Sequence, residues 1–344
     1  MRHHKYFLSL CIGLLIFSCK KDDNELPPPE QDPPATLEII NSDNVLLNPS
    51  GYAPLSAIIQ VETKEDVRVS LKVLGKRGAD SDILNEFSAF SSDLEIPVHG
   101  LYINASNTVE LTFYDQSGTD RGTKSYEIKT GFGIADLPFI TIEEANRADM
   151  AEGLTFVSYF GHASSQFPQR PFMFDSFGDI RWFLDFSGHP QLNQLFYDDG
   201  MERLQNGNLY FGSGGQMFGA TGNNLVYEID LFGNVIDTWP MPGYSFHHEV
   251  LEKPNGNFLV TVSKDGVATI EDYIIEIDRA TKDIVNVWDL NLSLDNTRTA
   301  LKDDPSDWIH TNAITYDETD DTIIISGRTQ GLVKLTSANE VVWI

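Results

Sequence analysis

Three histidines, an asparagine and an arginine between Ser245 and Arg328 are the residues of this 344-residue chain best suited to chemistry. The stretch opens on Ser245-Phe-His247-His248-Glu, passes Asp307-Trp-Ile-His310-Thr-Asn312 and closes on Ser326-Gly-Arg328. Imidazoles beside a guanidinium suit an oxyanion, because Arg offers a planar cationic fork and His a donor that can switch its proton. His248, His310 and Arg328 are the catalytic candidates; Asn312 and His247 are the substrate-binding ones. A zinc site is the rival, with two histidines and Asp307 as ligands. No compact His-x-His or His-Glu-x-x-His spacing supports it, and an arginine in the cluster repels a cation, so no metal ligand is assigned.

The rest of the chain bounds what such a site serves. Lys and Arg number 24 against 51 Asp and Glu, a formal net charge of −27. A nucleic-acid binder would carry a basic face, so that role is disfavoured. The acidic surface also repels anions, so an anion site needs a local basic cluster. The length allows two domains with a sizeable core.

The N-terminus reads as a targeting segment. Met1–Lys5 is basic, Tyr6–Phe17 is largely apolar, and Ser18-Cys19 follows, the pattern of a secretory signal over 1–18. Ile16-Phe-Ser-Cys19 resembles a bacterial lipobox, with Cys19 as the lipidated residue. Cys11 is then removed with the signal, and no thiol is left for a disulfide or a metal. Residues 19–35, Pro-rich and nearly free of large apolar side chains, form a tether.

Two all-β domains should position the site. Residues 36–132 carry strand-like runs at Leu37–Ile40, Ala57–Thr63, Val67–Leu74, Glu95–Val98, Thr108–Tyr114 and Lys124–Ile128, separated by turn signals; this spacing suggests a β-sandwich. His99 there reads as structural. Thr141-Ile-Glu-Glu144 has capping-box spacing and opens at most two turns of helix, to Met150.

Residues 133–344 contain a repeat: a polar turn, a β-branched residue and a tryptophan, ending at Trp182, Trp239, Trp288 and Trp343. Asn206-Gly-Asn208 and Asn255-Gly-Asn257 mark hairpin turns. Units of about 50 residues with a periodic aromatic suggest propeller blades, about four of them. Aligning the turns makes Asp199, His248 and Asn312 equivalent, His310 equivalent to Phe246, and Arg328 equivalent to Lys264. Strand parity then aims His248, His310 and Asn312 at one face and sends His247 into the sheet packing or to the opposite side. Singly, each of these residues has an ordinary structural explanation; the shared register is what groups them.

Several segments together resemble the bacterial aryl-sulfate sulfotransferases that work without PAPS: Asn48-Pro-Ser-Gly-Tyr-Ala-Pro-Leu55, Ile96-Pro-Val-His-Gly-Leu-Tyr102, His247-His248-Glu with Pro254-Asn-Gly-Asn257, Asp307-Trp-Ile-His310-Thr-Asn312, and Ser326-Gly-Arg328. The resemblance implies a small β-sandwich followed by a six-bladed propeller. It implies transfer of a sulfuryl group from a phenolic sulfate donor to a phenol acceptor through a sulfated histidine, with no cofactor. Arg328 would clamp the sulfuryl oxygens, His310 and His248 would donate to them or assist the leaving phenolate, and Asn312 would add a neutral hydrogen bond. The family's sulfated histidine lies in a later blade, so the nucleophile is expected beyond Ile344 and the chain is expected to be C-terminally truncated; none of His99, His162 and His189 substitutes for it. The leader implies an exported lipoprotein of a Gram-negative outer membrane, held through its lipid anchor alone. A non-catalytic surface propeller lipoprotein that binds a ligand or partner is the alternative, and a metal-dependent hydrolase a third reading.

Overall fold

Alternation at period two builds the first domain. In β2 (Ser56–Val73), Ala57, Ile59 and Val61, then Val67, Val69, Leu71 and Val73, are buried. The computed structural model describes residues 37–133, 137–159, 168–197, 200–213, 224–297 and 304–344. The signal segment, the tether with Cys19, His162 and Asp199 lie outside them. Leu37–Ile344 forms a single unit, and among the described residues no helix is long and apolar enough to cross a membrane.

Strand β2 is flanked by β1 (Ile40–Leu47) along its first half and by β4 (Ser106–Tyr114) along its second; β3 (Ile83–His99) pairs with both halves, and β5 (Asp120–Lys129) pairs with β4. The β2–β3 register shifts between Glu62 and Val67. The resulting curled sheet closes on one core that contains Ile59, Val61, Leu71 and Leu111.

Two expected strands, 57–63 and 67–74, are therefore halves of one. The first strand begins at Ile40 rather than ending there. The first half of β3 escapes notice in the sequence because its side chains are mostly exposed, Leu84 at 72%. The expected helix after Thr141 does not form; only a 3₁₀ turn, Arg147–Asp149, appears. Two turns of helix with no buried face are too short to persist.

The second domain is a series of antiparallel meanders. A three-stranded sheet comprises β6 (Thr155–Val157), β7 (Phe172–Phe174) and β8 (Ile180–Phe183). Three four-stranded sheets follow. The first holds β9 (Glu202–Arg203), β10 (Leu209–Ser213), β11 (Leu225–Ile229) and β12 (Val235–Pro240). The second holds β13 (Tyr244–Glu252), β14 (Phe258–Lys264), β15 (Tyr273–Ile277) and β16 (Ile284–Asp289). The third holds β17 (Thr311–Asp317), β18 (Thr322–Gly327), β19 (Gly331–Thr336) and β20 (Val341–Trp343). Their leading strands β13 and β17 lie against each other, as successive propeller blades require.

The tryptophan repeat has a physical cause. Three of the four repeat indoles donate from Nε1 to a carbonyl at the turn of the next sheet: Trp182 to Leu231 at 2.8 Å, Trp239 to Arg279 at 2.9 Å, Trp288 to Thr336 at 2.8 Å. Two of the acceptor turns are preorganised by aspartates. Asp230 Oδ1 takes the Phe232 and Asn234 N–H groups at 2.9 Å each, and Asp278 Oδ1 takes Ala280 N at 3.0 Å. In the first of these contacts the Asp230-x-x-Gly233 turn and Trp182 are two halves of one inter-sheet contact. Gly233 sits at φ +83°, and a Cβ there would come within 3.1 Å of Phe186 and 3.2 Å of Tyr52.

The domains meet on a buried arginine. Arg181, fully buried, donates from Nε to Gly100 O at 2.8 Å and from Nη1 to Ser81 O, the Tyr102 hydroxyl and Asp175 Oδ2 at 2.9–3.0 Å. Close by, Ser50 Oγ donates to Phe232 O at 2.5 Å, and His99 lies 4.7 Å from the Phe232 ring.

Candidate active site

Two irregular strands bring the histidines together. In β13, Phe246 pairs with Val262 and the next pairing is Val250 with Val260. Residues 247–249 therefore bulge opposite Thr261. The Thr261 hydroxyl fastens the bulge by donating to His247 O and accepting from Glu249 N, the latter at 3.0 Å. His248 takes a left-handed conformation, φ 57°. In β17 the register shifts between Thr311 and Ala313, and His310 just before it has φ 53°. Glu249 Oε2 accepts from Ile314 N at 2.5 Å, which locks the two strands together.

The loop before β15 supplies the third component. Glu271, φ 59°, is held at both ends of its backbone: its N–H donates to Ser263 Oγ at 2.9 Å, and its carbonyl accepts from Thr311 N at 3.0 Å. Its carboxylate lies 3.3 Å from His247 Nε2 and also contacts His310 Nδ1. Thus three of the eight left-handed non-glycine residues among those described converge on one spot. Such conformations cost about 1–3 kcal/mol each and gather at functional sites.

The rings form a compact group. His247 and His248 centroids are 4.0 Å apart, His247 and His310 4.9 Å, and His248 and His310 5.6 Å. His310 Nδ1 lies 2.9 Å from the buried Asp307 Oδ1. A carboxylate only accepts, so Nδ1 carries the proton. Arg328 Nη2 reaches Asp307 Oδ2 at 3.4 Å, while its backbone N–H donates to His310 O at 3.0 Å. Gly327 permits this approach, since a Cβ there would sit 2.6 Å from Ile309 Cγ1.

His248 and His310 therefore share the site, and Arg328 joins them through Asp307. Its guanidinium is not a bare clamp: it is 47% exposed and already faces a carboxylate. Asn312 lies in the β17 bulge with Oδ1 buried and lacking a hydrogen-bond partner.

The repeat register is corrected. The matching bulges at Glu276/Ile277 and Lys334/Leu335 set Phe258 level with Ile323 and so Val262 level with Gly327; their partners Phe246 and Thr311 therefore correspond, rather than Phe246 and His310. The expectation for His247 fails too: its ring sits inside the cluster. Parity holds only along a regular pleat, and a bulge of three residues against one cancels it. Glu271 lies in none of the sequence motifs, and Glu249, although it ends His247-His248-Glu, has no spacing that assigns it a role. Two other histidines are structural. His189 Nδ1 accepts from Gln191 N and Leu192 N at 3.0 Å each; His99 Nδ1 bonds Ser56 Oγ at 2.9 Å.

The family model for arylsulfotransferases matches residues 140–344, the whole span of this site, and the arylsulfotransferase Ig-like domain matches residues 44–131. The chain belongs to the arylsulfotransferase family. Two arylsulfate sulfotransferases are similar to it, from Lelliottia amnigena at 28% identity and from Escherichia coli O6:H1 at 26%, each over 87% of this chain. The chain spans 63% of the length of these relatives. Among solved structures, an auxiliary nutrient binding protein from Bacteroides ovatus aligns over 82% of this chain and 53% of its own, at 11% identity and a TM-score of 0.27, a likeness too loose to bear on the fold. Within the arylsulfotransferase framework, the Asn48–Leu55 and Ile96–Tyr102 segments lie where the Ig-like domain docks through Ser50, His99 and Gly100.

Proposed function

We propose that this arylsulfotransferase moves a sulfuryl group from a phenolic sulfate ester to another phenol, and that the three-histidine cluster holds the sulfuryl oxygens. The single observation behind the reading is the convergence of His247, His248 and His310 with Arg328 behind them. A sulfuryl group in flight has a loose transition state with charge spread over its oxygens, like a phosphoryl group. Preorganised donors in a partly buried site are what lower such a barrier. In this reading His310, fixed by Asp307 and Glu271, turns Nε2 to the substrate; an imidazolium there donates to an oxygen or protonates the departing phenolate. His248 donates from the opposite side, and Arg328 contributes positive charge at the rim.

In the proposed cycle a histidine nitrogen attacks sulfur, the sulfur–aryloxide bond breaks, and the phenolate leaves with the electron pair and takes a proton. The acceptor phenol then attacks the sulfated histidine and loses its proton. In this reading the sulfated histidine belongs to a further blade of a six-bladed propeller. Export and anchoring through Cys19 to an outer membrane are part of the same proposal, supported by the leader sequence.

The test uses the product of the complete reading frame with p-nitrophenyl sulfate and phenol. Expected are nitrophenolate release that depends on phenol, formation of phenyl sulfate, and a sulfated histidine by mass spectrometry. Absence of transfer to any of a panel of phenols would overturn the reading. Labelling with radioactive palmitate, lost in Cys19→Ala, checks the anchor.

A further inference from the structure

One ring nitrogen from each of His247, His248 and His310 lies within 4.8 Å of the others, and a second set, Glu271, Asp307 and His310, meets the same limit. We propose that the three imidazoles form a binding site for a borderline transition-metal dication, zinc foremost, with Glu271 and Asp307 orienting the rings. The proposal goes beyond sulfuryl transfer and does not depend on it.

Donor type selects the ion. Three nitrogens suit zinc and copper, whereas magnesium and calcium require oxygen ligands. Three histidines plus one open position is a recurrent zinc arrangement. Tetrahedral bonds of about 2.0–2.1 Å place ligand nitrogens roughly 3.3 Å apart. The present separations therefore close with ring rotations on the order of 1 Å.

The carboxylates are placed as orienting partners. A metal-binding histidine usually gives its other N–H to a carboxylate. His310 Nδ1 faces Asp307 at 2.9 Å and contacts Glu271, and His247 Nε2 lies 3.3 Å from Glu271, so in the proposed site the ion would take the other nitrogen of each ring. The charge balance also permits a cation. Arg328, the guanidinium bonded into this group, faces Asp307 and is 47% exposed. Along the chain His248 and His310 are 62 residues apart (310 − 248), at the leading strands of successive sheets, which is why no compact spacing announces the site. Zinc and sulfuryl oxygens would use the same ring nitrogens, so an occupied site is closed to an oxyanion.

Isothermal titration of chelator-treated protein with zinc chloride tests this without any sulfated substrate, so its failure and that of the transferase reading are separately visible. One equivalent should bind in the presence of excess magnesium and calcium. Cobalt in place of zinc should show the visible bands of tetrahedral coordination. His247→Ala and His310→Ala should each abolish the site, Glu271→Gln should weaken it about 10- to 100-fold, and His189→Gln should leave it unchanged. Should a variant misfold, diethylpyrocarbonate footprinting of the unaltered protein decides: zinc should shield these three histidines and leave His99 and His189 as they were. Zinc displaced by magnesium, or binding that survives His247→Ala and His310→Ala with no footprint at the cluster, would mean adsorption to the acidic surface and overturn the proposal.

Discussion

His310 Nδ1 sits 2.9 Å from Asp307 Oδ1, and the other oxygen of that carboxylate receives Arg328 at 3.4 Å. One buried aspartate, carried on the 3₁₀ turn Pro305–Asp307, therefore sets the ring of one candidate and the guanidinium of another. Asp307→Asn keeps the shape but not the charge, and it can leave the ring in the wrong tautomer. Transfer should fall by roughly 10²- to 10⁴-fold, the range for a positioned acid–base group. Initial rates with p-nitrophenyl sulfate check this, with circular dichroism to show that the fold survives. A variant as fast as the parent would remove Asp307 from the proposed mechanism.

The β13 bulge makes a prediction opposite to strand parity. Since His247 and His248 are 4.0 Å apart and both near His310, His247→Ala and His248→Ala should impair transfer to similar degrees, within roughly tenfold or about 1.4 kcal/mol of barrier. A His247→Ala enzyme with parental kcat/KM would place that ring outside the working site.

Arg181→Met should separate the domains energetically. It strands the Asp175 carboxylate and removes the donors to Gly100 O, Ser81 O and the Tyr102 hydroxyl. Removing one partner of a buried pair costs about 3–5 kcal/mol. Urea unfolding should show that loss, whereas Leu84→Ser at an exposed position should stay within about 0.5 kcal/mol.

His99 predicts acid sensitivity at the same junction. Burial pushes its imidazole from 6.5 down to about 4, in keeping with its packing on Phe232 and its bond to Ser56. The folded state therefore holds the ring neutral where the unfolded chain protonates it. Its contribution is complete above about pH 6.5 and is lost as the pH falls toward about 4. The loss is at most about 3 kcal/mol, and less where the ring edge meets water. Urea midpoints measured across that window should decline more steeply in the parent than in His99→Gln; parallel curves would count against it.

The all-β class, the tryptophan–turn repeat and the candidate residues are written in the sequence, because alternation, turn chemistry and residue type are local properties. Strands such as β4 and the Asn206-Gly and Asn255-Gly turns are legible for that reason. The first half of β3 was not, because its exposed face carries no apolar alternation. Local rules also misplaced His247 and the repeat register. A bulge depends on the partner strand, and here Thr261 fastens it from across the ladder. Glu271 joined the site through backbone bonds to Ser263 and Thr311, contacts between segments far apart in the chain. Only the tertiary structure could decide that three imidazoles and two carboxylates meet, because that meeting rests on irregular backbone held by neighbouring strands.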